Sequence, residues 1–181
     1  MQAADPAVHV VPYTNGRLFD PRDKKWTEDN ATRYACHRFS NSSTGGGGTP
    51  YQEKYEAAFN WSQQVMDPST EYWQKTIAED VGGVQKAGNC SGVYVDQIAS
   101  YYAEACYGEG TSGAGSRWAD GNRATLEQAV KAVGPGKVVI SESNAEAYLG
   151  SLHAYLAICE YWLHPPATPR QPLVSARLIR L

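Results

Sequence analysis

Apolar and polar positions along this chain switch between two periods. VHVVPY (8–13), GVYVD (92–96), KVVISE (137–142) and HAYLAI (153–158) are short, apolar and rich in β-branched residues, the form of strands buried on both faces. QQVMD (63–67) predicts one more. Between them the period lengthens. Over 67–88, Trp73, Ile77, Val81 and Val84 recur at helical spacing and predict a helix with one apolar face. Asp67 or Ser69 can cap it, with Pro68 tolerated near its start. A second helix is predicted over 120–133, ended by Gly134-Pro135-Gly136, with short helices over 27–39 and 144–152. NGRLFDPRDKKW (15–26) has turn chemistry in its Asn-Gly and Asp-Pro pairs. NSSTGGGGTP (41–50) reads as a flexible loop, and its four glycines lack the Gly-Lys-Ser/Thr of a phosphate-binding loop.

Strand, loop and helix thus repeat, which indicates a parallel α/β architecture, either a doubly wound sheet or a TIM barrel. No G-x-G-x-x-G follows any strand, which weakens a dinucleotide-binding reading. Polar residues recur at the C-terminal ends of the strands, where barrel enzymes place their chemistry, and this favours the barrel. A full barrel needs eight βα units and about 250 residues. About five units are found in 181 residues, so the expectation is an incomplete (β/α)8 TIM barrel over 1–160, followed by a proline-rich irregular tail over 161–181.

The net charge of −3 and the lack of a basic run argue against a nucleic-acid partner. No apolar run is long enough to cross a bilayer, so no membrane partner is expected. MQAADPAVHV has no signal-peptide pattern, yet Asn30, Asn41, Asn60 and Asn89 stand in glycosylation sequons, which hints at secretion. Twelve Tyr and five Trp against three Phe suit stacking on polar ligands such as sugars, although the same rings also rim cores. Cys36, Cys90, Cys106 and Cys159 are widely spaced, which fits buried thiols or one or two disulfides and disfavours a structural zinc. His9, His37, His153 and His164 form no metal-ligand spacing, and no cofactor is expected.

The chemistry concentrates in carboxylates. Two apolar strands end on acids, Asp96 and Glu142. Glycosidic hydrolysis uses such a pair, one acid protonating the leaving oxygen and the other attacking the anomeric carbon or activating water. Neighbouring strands lie roughly 5 Å apart, which suits the roughly 5 to 5.5 Å separation of retaining enzymes. Tyr94, Tyr101 and Tyr148 are aromatic neighbours. A strand-end acid can also cap the next helix or pair with Lys or Arg, and Glu146 can support the first turn of its own helix.

Five segments then stand in one order: PYTNGRLFD (12–20), QVMDPSTEYWQ (64–74), GVYVDQIAS (92–100) with Cys106 soon after, a glycine-rich loop before RWADGNR (117–123), and SESNAEAYL (141–149). Together, across about residues 8–158, they resemble a family of TIM-barrel glycoside hydrolases known mainly as a domain of unknown function. That family is distantly similar to endo-α-N-acetylgalactosaminidases. The resemblance implies Asp96 as nucleophile and Glu142 as general acid/base of a retaining mechanism. It implies Tyr13, Asn15 and Arg17 lining a sugar pocket, with Gln97 and Glu146 beside the acids, and a carbohydrate as partner. CYGEGTSGAGS (106–116) departs from the histidine-containing stretch expected of relatives, and His153 stands where an Asp is expected. The C-terminal strands of such a barrel are absent, and a half barrel exposes an apolar flank open to self-association. A truncated barrel that binds carbohydrate without turnover, and a barrel enzyme acting on another polar small molecule, are the alternative readings.

Overall fold

The structure, a computed structural model, describes residues 9–37, 52–54, 62–88, 90–98, 115–142, 146–158 and 176–180. The elements run β1 (Tyr13–Asn15), β2 (Leu18–Phe19), α1 (Glu28–Arg33), β3 (Gln52–Lys54), β4 (Ser62–Val65), α2 (Glu71–Gly88), β5 (Gly92–Asp96), α3 (Gly115–Val133), β6 (Val138–Glu142), a 3-10 turn (Glu146–Ser151), β7 (Ala154–Ile158) and β8 (Ala176–Arg180). β1, β5, β6 and β7 are parallel neighbours in that order, and β8 closes the sheet antiparallel to β7. A separate antiparallel sheet has the order β2-β4-β3.

Three of the strands predicted from sequence, GVYVD, KVVISE and HAYLAI, lie in the parallel sheet, whose first strand, β1, shares only Tyr13 with VHVVPY. The fifth, QQVMD, is not a barrel strand: β4 lies in the small antiparallel sheet, so the described residues hold four parallel strands rather than about five units. VHVVPY is displaced toward its C-terminal end. Pro12 has no N–H for a ladder, but the carbonyls of Val10 and Pro12 still accept from Ser91 and Tyr94 at 2.9 and 2.8 Å. The segment 161–181, expected to be irregular, contains β8. The predicted loop 41–50 lies outside the described residues, as does Tyr101.

α2 starts at Glu71, not at 67. Thr70 is the cap: its Oγ1 accepts from Trp73 N at 3.4 Å, while the Asp67 carboxylate holds the preceding turn through Ser69 N at 2.8 Å. α3 begins at 115, five residues before the predicted start. Gly121, inside the helix, is a point of close approach. A Cβ there would meet Ser69 N at 2.5 Å and Pro68 C at 2.6 Å, so glycine lets α3 lie against the start of α2.

The strands are not buried on both faces. Val93, Val95 and Val139 are wholly buried under Trp73, Ile77 and Val81 of α2 and Leu126, Ala129 and Val133 of α3. The alternate positions Tyr94, Asp96, Ile140 and Glu142 are only partly covered. Tyr148, expected near the acids, is buried in the core at 4% exposure. Tyr13 is the one exposed large hydrophobic side chain among the described residues, at 56%. No described helix is long and apolar enough to cross a membrane.

Candidate active site

The parallel register levels the strand ends. Asn15 lies opposite Asp96, and Val95 opposite Ser141, which sets Glu142 beside Asp96. Period-two alternation then sends Tyr13, Asn15, Tyr94, Asp96 and Glu142 to one face, away from the helices.

On that face the two acids are neighbours on adjacent strands. Two carboxyls so placed are costly to ionise together. Glu142 is pushed up to about 7, first by burial and then by its bond to Asp96 and the charge there. The neighbouring Tyr94 hydroxyl and Gln97 backbone oppose that rise. Asp96 is gripped from both sides: Tyr13 donates to Oδ2 at 2.8 Å and Tyr94 to Oδ1 at 3.1 Å. The Tyr94 phenol is raised well above its ordinary value, by burial foremost and then by the charges of Asp96 and Glu142, so it serves as a donor. The two tyrosine rings are tilted at 51° with centroids 5.9 Å apart.

Local backbone aims these groups. Gln97 has φ of 59°, a left-handed conformation that costs a non-glycine residue on the order of 1–3 kcal/mol. It turns the chain sharply after Asp96 and carries its own N–H toward Glu142. Gly16 lies against this turn. Its N–H donates to the Asp96 carbonyl at 2.9 Å, its carbonyl accepts from Trp73 Nε1 at 2.8 Å, and a Cβ there would clash with Ile98 and Val95.

A cleft of about 460 Å³ opens beside β1, with Asp96 and Gln97 as well as Asp20, Arg22 and Asp80 in its lining, which does not include Glu142. Arg22 holds Asp20 through Nε at 2.9 Å and Nη2 at 2.6 Å, which lowers that carboxyl to about 2. Lys25 lies 2.7 Å from Asp80, whose carboxyl is nevertheless raised by burial. Among the described residues no cluster of His, Cys, Asp and Glu could hold a metal ion.

Of the residues singled out by sequence, Tyr13, Asn15, Asp96 and Glu142 come together at the strand ends, with Gln97 adjoining. Arg17 does not join them at the cleft. Its side chain is 3% exposed, and what it gives the site is its backbone N–H, donated to Asn15 Oδ1 at 2.9 Å. Glu146 opens the 3-10 turn, and its side chain lies outside the described part. Sequence reasoning passed over Tyr94 as a donor and the Asp20–Arg22 pair. Their signals were present: Tyr94 is two residues from Asp96, hence on its face, and Asp20-Pro21-Arg22 sets opposite charges two apart in a turn. Cys36 is disulfide-bonded, with a partner outside the described residues, and Cys90 is a buried free thiol. His9 bonds Ser91 Oγ, His37 bonds the Thr32 carbonyl and His153 accepts from Val139 N, all structural roles.

Known proteins resemble this arrangement. The model of a domain of unknown function, DUF6259, matches residues 1–161. A protein of Monosiga brevicollis described as "Putative glycoside hydrolase 22789" is 27% identical over 157 residues, 85% of this chain and 13% of that protein. A "Putative glycoside hydrolase" of Bacteroides thetaiotaomicron is 26% identical over 82% of this chain and 22% of its own length. Among solved structures, the ligand-free α-N-acetylgalactosaminidase NagBb of Bifidobacterium bifidum superposes with a TM-score of 0.60 at 13% identity, over 90% of this chain and 24% of that one. The same enzyme in complex with GalNAc gives 0.60 at 14% identity. At such identities the likeness is one of fold. The chain spans less than a quarter of the length of each of these proteins.

Proposed function

The chain belongs to the DUF6259 family, and we propose that it is part of the catalytic domain of a retaining glycoside hydrolase. The observation that carries this reading is the placement of Asp96 and Glu142 at the C-terminal ends of adjacent parallel strands, with Glu142 raised to about 7. A general acid for a glycosidic oxygen must hold a proton near neutral pH, and burial beside Asp96 moves Glu142 in that direction.

In this mechanism Asp96 attacks the anomeric carbon while Glu142 gives its proton to the departing oxygen. The glycosyl ester on Asp96 is then hydrolysed. Glu142, now a carboxylate, takes a proton from the attacking water, and the sugar leaves with its configuration retained. The four parallel strands support a partial barrel over 1–160, and the family match ends at 161; β8, from the segment that follows, adds antiparallel to the edge strand β7. An α-linked N-acetylgalactosamine heads the substrate candidates, since the fold neighbour acts on that sugar.

One observation favours a second reading, carbohydrate binding without turnover: both oxygens of the Asp96 carboxylate are already engaged, by Tyr13 and Tyr94. Release of nitrophenol from a panel of aryl glycosides, led by the α-N-acetylgalactosaminide, separates the two. The hydrolase reading expects turnover, a loss of about 10²- to 10⁴-fold in Glu142→Gln, and background rates in Asp96→Asn. Glycan binding with no release by the folded wild-type chain would sink it.

A further inference from the structure

Behind the acid pair stands a run of hydrogen bonds with a single direction. The backbone N–H groups of Arg17 and Leu18 donate to Asn15 Oδ1 at 2.9 and 2.8 Å. Only the carbonyl end of a side-chain amide accepts such bonds, so the turn between β1 and β2 fixes which end is which. The other end, Nδ2, then faces the Tyr13 hydroxyl at 3.2 Å and donates to it. A phenol oxygen that accepts on one side directs its own proton elsewhere, and Tyr13 directs it to Asp96 Oδ2 at 2.8 Å. Each bond polarises the next.

Tyr94 also donates to Asp96, at Oδ1, 3.1 Å away. Among the described residues, the groups near Glu142 are Asp96, Tyr94 and the Gln97 backbone, and those near Asp96 are Tyr13, Tyr94 and Glu142.

We propose that Asn15 and Tyr13 are positioning residues, a relay anchored in the turn backbone that keeps a donor on Asp96 and so favours Glu142 as the protonated member of the pair. This deepens the hydrolase reading and rests on it for its purpose, since a nucleophile must be charged and an acid protonated before substrate arrives. The relay itself is testable without turnover.

The test follows the side-chain carboxyl carbons of Asp96 and Glu142 by NMR across pH, in the wild type, Tyr13→Phe and Asn15→Ala. In the wild type the upper titration of the pair, near 7, is carried by the Glu142 carbon. Removing the Tyr13 donor takes a charge-stabilising bond from Asp96. The share of the proton on Asp96 relative to Glu142 then rises about tenfold, and the amplitude of the upper titration moves toward the Asp96 carbon. Asn15→Ala moves it the same way by less, because the hydroxyl keeps its proton but loses its direction. Near-UV circular dichroism confirms folding, and if Tyr13→Phe fails to fold, Asn15→Ala carries the test. An upper titration that stays wholly on Glu142 in a folded variant overturns the relay. A shift of amplitude in a protein that hydrolyses no glycoside would uphold the relay while removing the hydrolase reading.

Discussion

The two faces of the parallel sheet are built from alternate residues of the same strands, and they are governed by different physics. On the helix face, Val93, Val95 and Val139 are sealed under α2 and α3, and the interaction is one of volume and apolar area. On the other face, Tyr94, Asp96 and Glu142 are half-covered, and Asp96 is held by hydrogen bonds from Tyr13 and Tyr94. Five residues of β5 therefore carry both the centre of the core and half of the candidate site. Packing behind the sheet fixes the level of each strand end, and with it the position of the two acids.

Substitutions on the two faces should therefore separate stability from proton chemistry. The largest loss of stability belongs to Ile77→Ala. Ile77 is wholly buried against the sheet, so its truncation costs about 2–5 kcal/mol in denaturant unfolding. The titration of Glu142 in the folded fraction should not move, and a shift there would mean the faces are coupled. Trp73→Phe comes next. It keeps most of the buried ring but leaves the Gly16 carbonyl without its indole donor, at a cost of about 1–3 kcal/mol by the same measurement. Because Gly16 also binds the Asp96 carbonyl, this is the helix-face change most able to disturb the acids.

The smallest effect on stability comes from the acid face and depends on pH. Glu142 is raised from 4.5 to about 7 in the folded chain, so the folded state keeps a proton that the unfolded chain releases. Its contribution to stability is full below about 4.5, declines as the pH rises to about 7, and is constant above that. Glu142→Gln has no such proton to lose. Thermal melts of the two proteins should diverge between pH 5 and 8, with the variant gaining on the wild type. Parallel curves would mean that Glu142 titrates in the ordinary carboxylate range.

Much of this was legible in the sequence because apolar runs bounded by acids are a local signal. GVYVD, KVVISE and HAYLAI stand as strands within a residue of their predicted ends, and Trp73, Ile77 and Val81 form the predicted apolar face. What failed depended on partners distant in sequence. QQVMD looks like any buried strand, and only its pairing with β2 and β3 assigns it to the smaller sheet. The start of α3 at 115 was missed, and the close approach of Gly121 to Pro68 and Ser69 depends on a neighbouring stretch of chain. Asp96 and Glu142 were identifiable as strand-end acids, but their adjacency comes from register, which no single segment encodes. Arg17 was read as a pocket residue; its side chain is buried, and its backbone N–H donates to Asn15.

The most direct test of the central claim is the anomeric configuration of the first sugar released, followed by proton NMR immediately after an aryl glycoside is added to the wild-type chain. The account predicts release with the substrate's own configuration, which then mutarotates. Release of the opposite anomer would mean that Asp96 activates water rather than attacking carbon. No release from any glycoside that binds would mean that the acid pair is not a hydrolytic site.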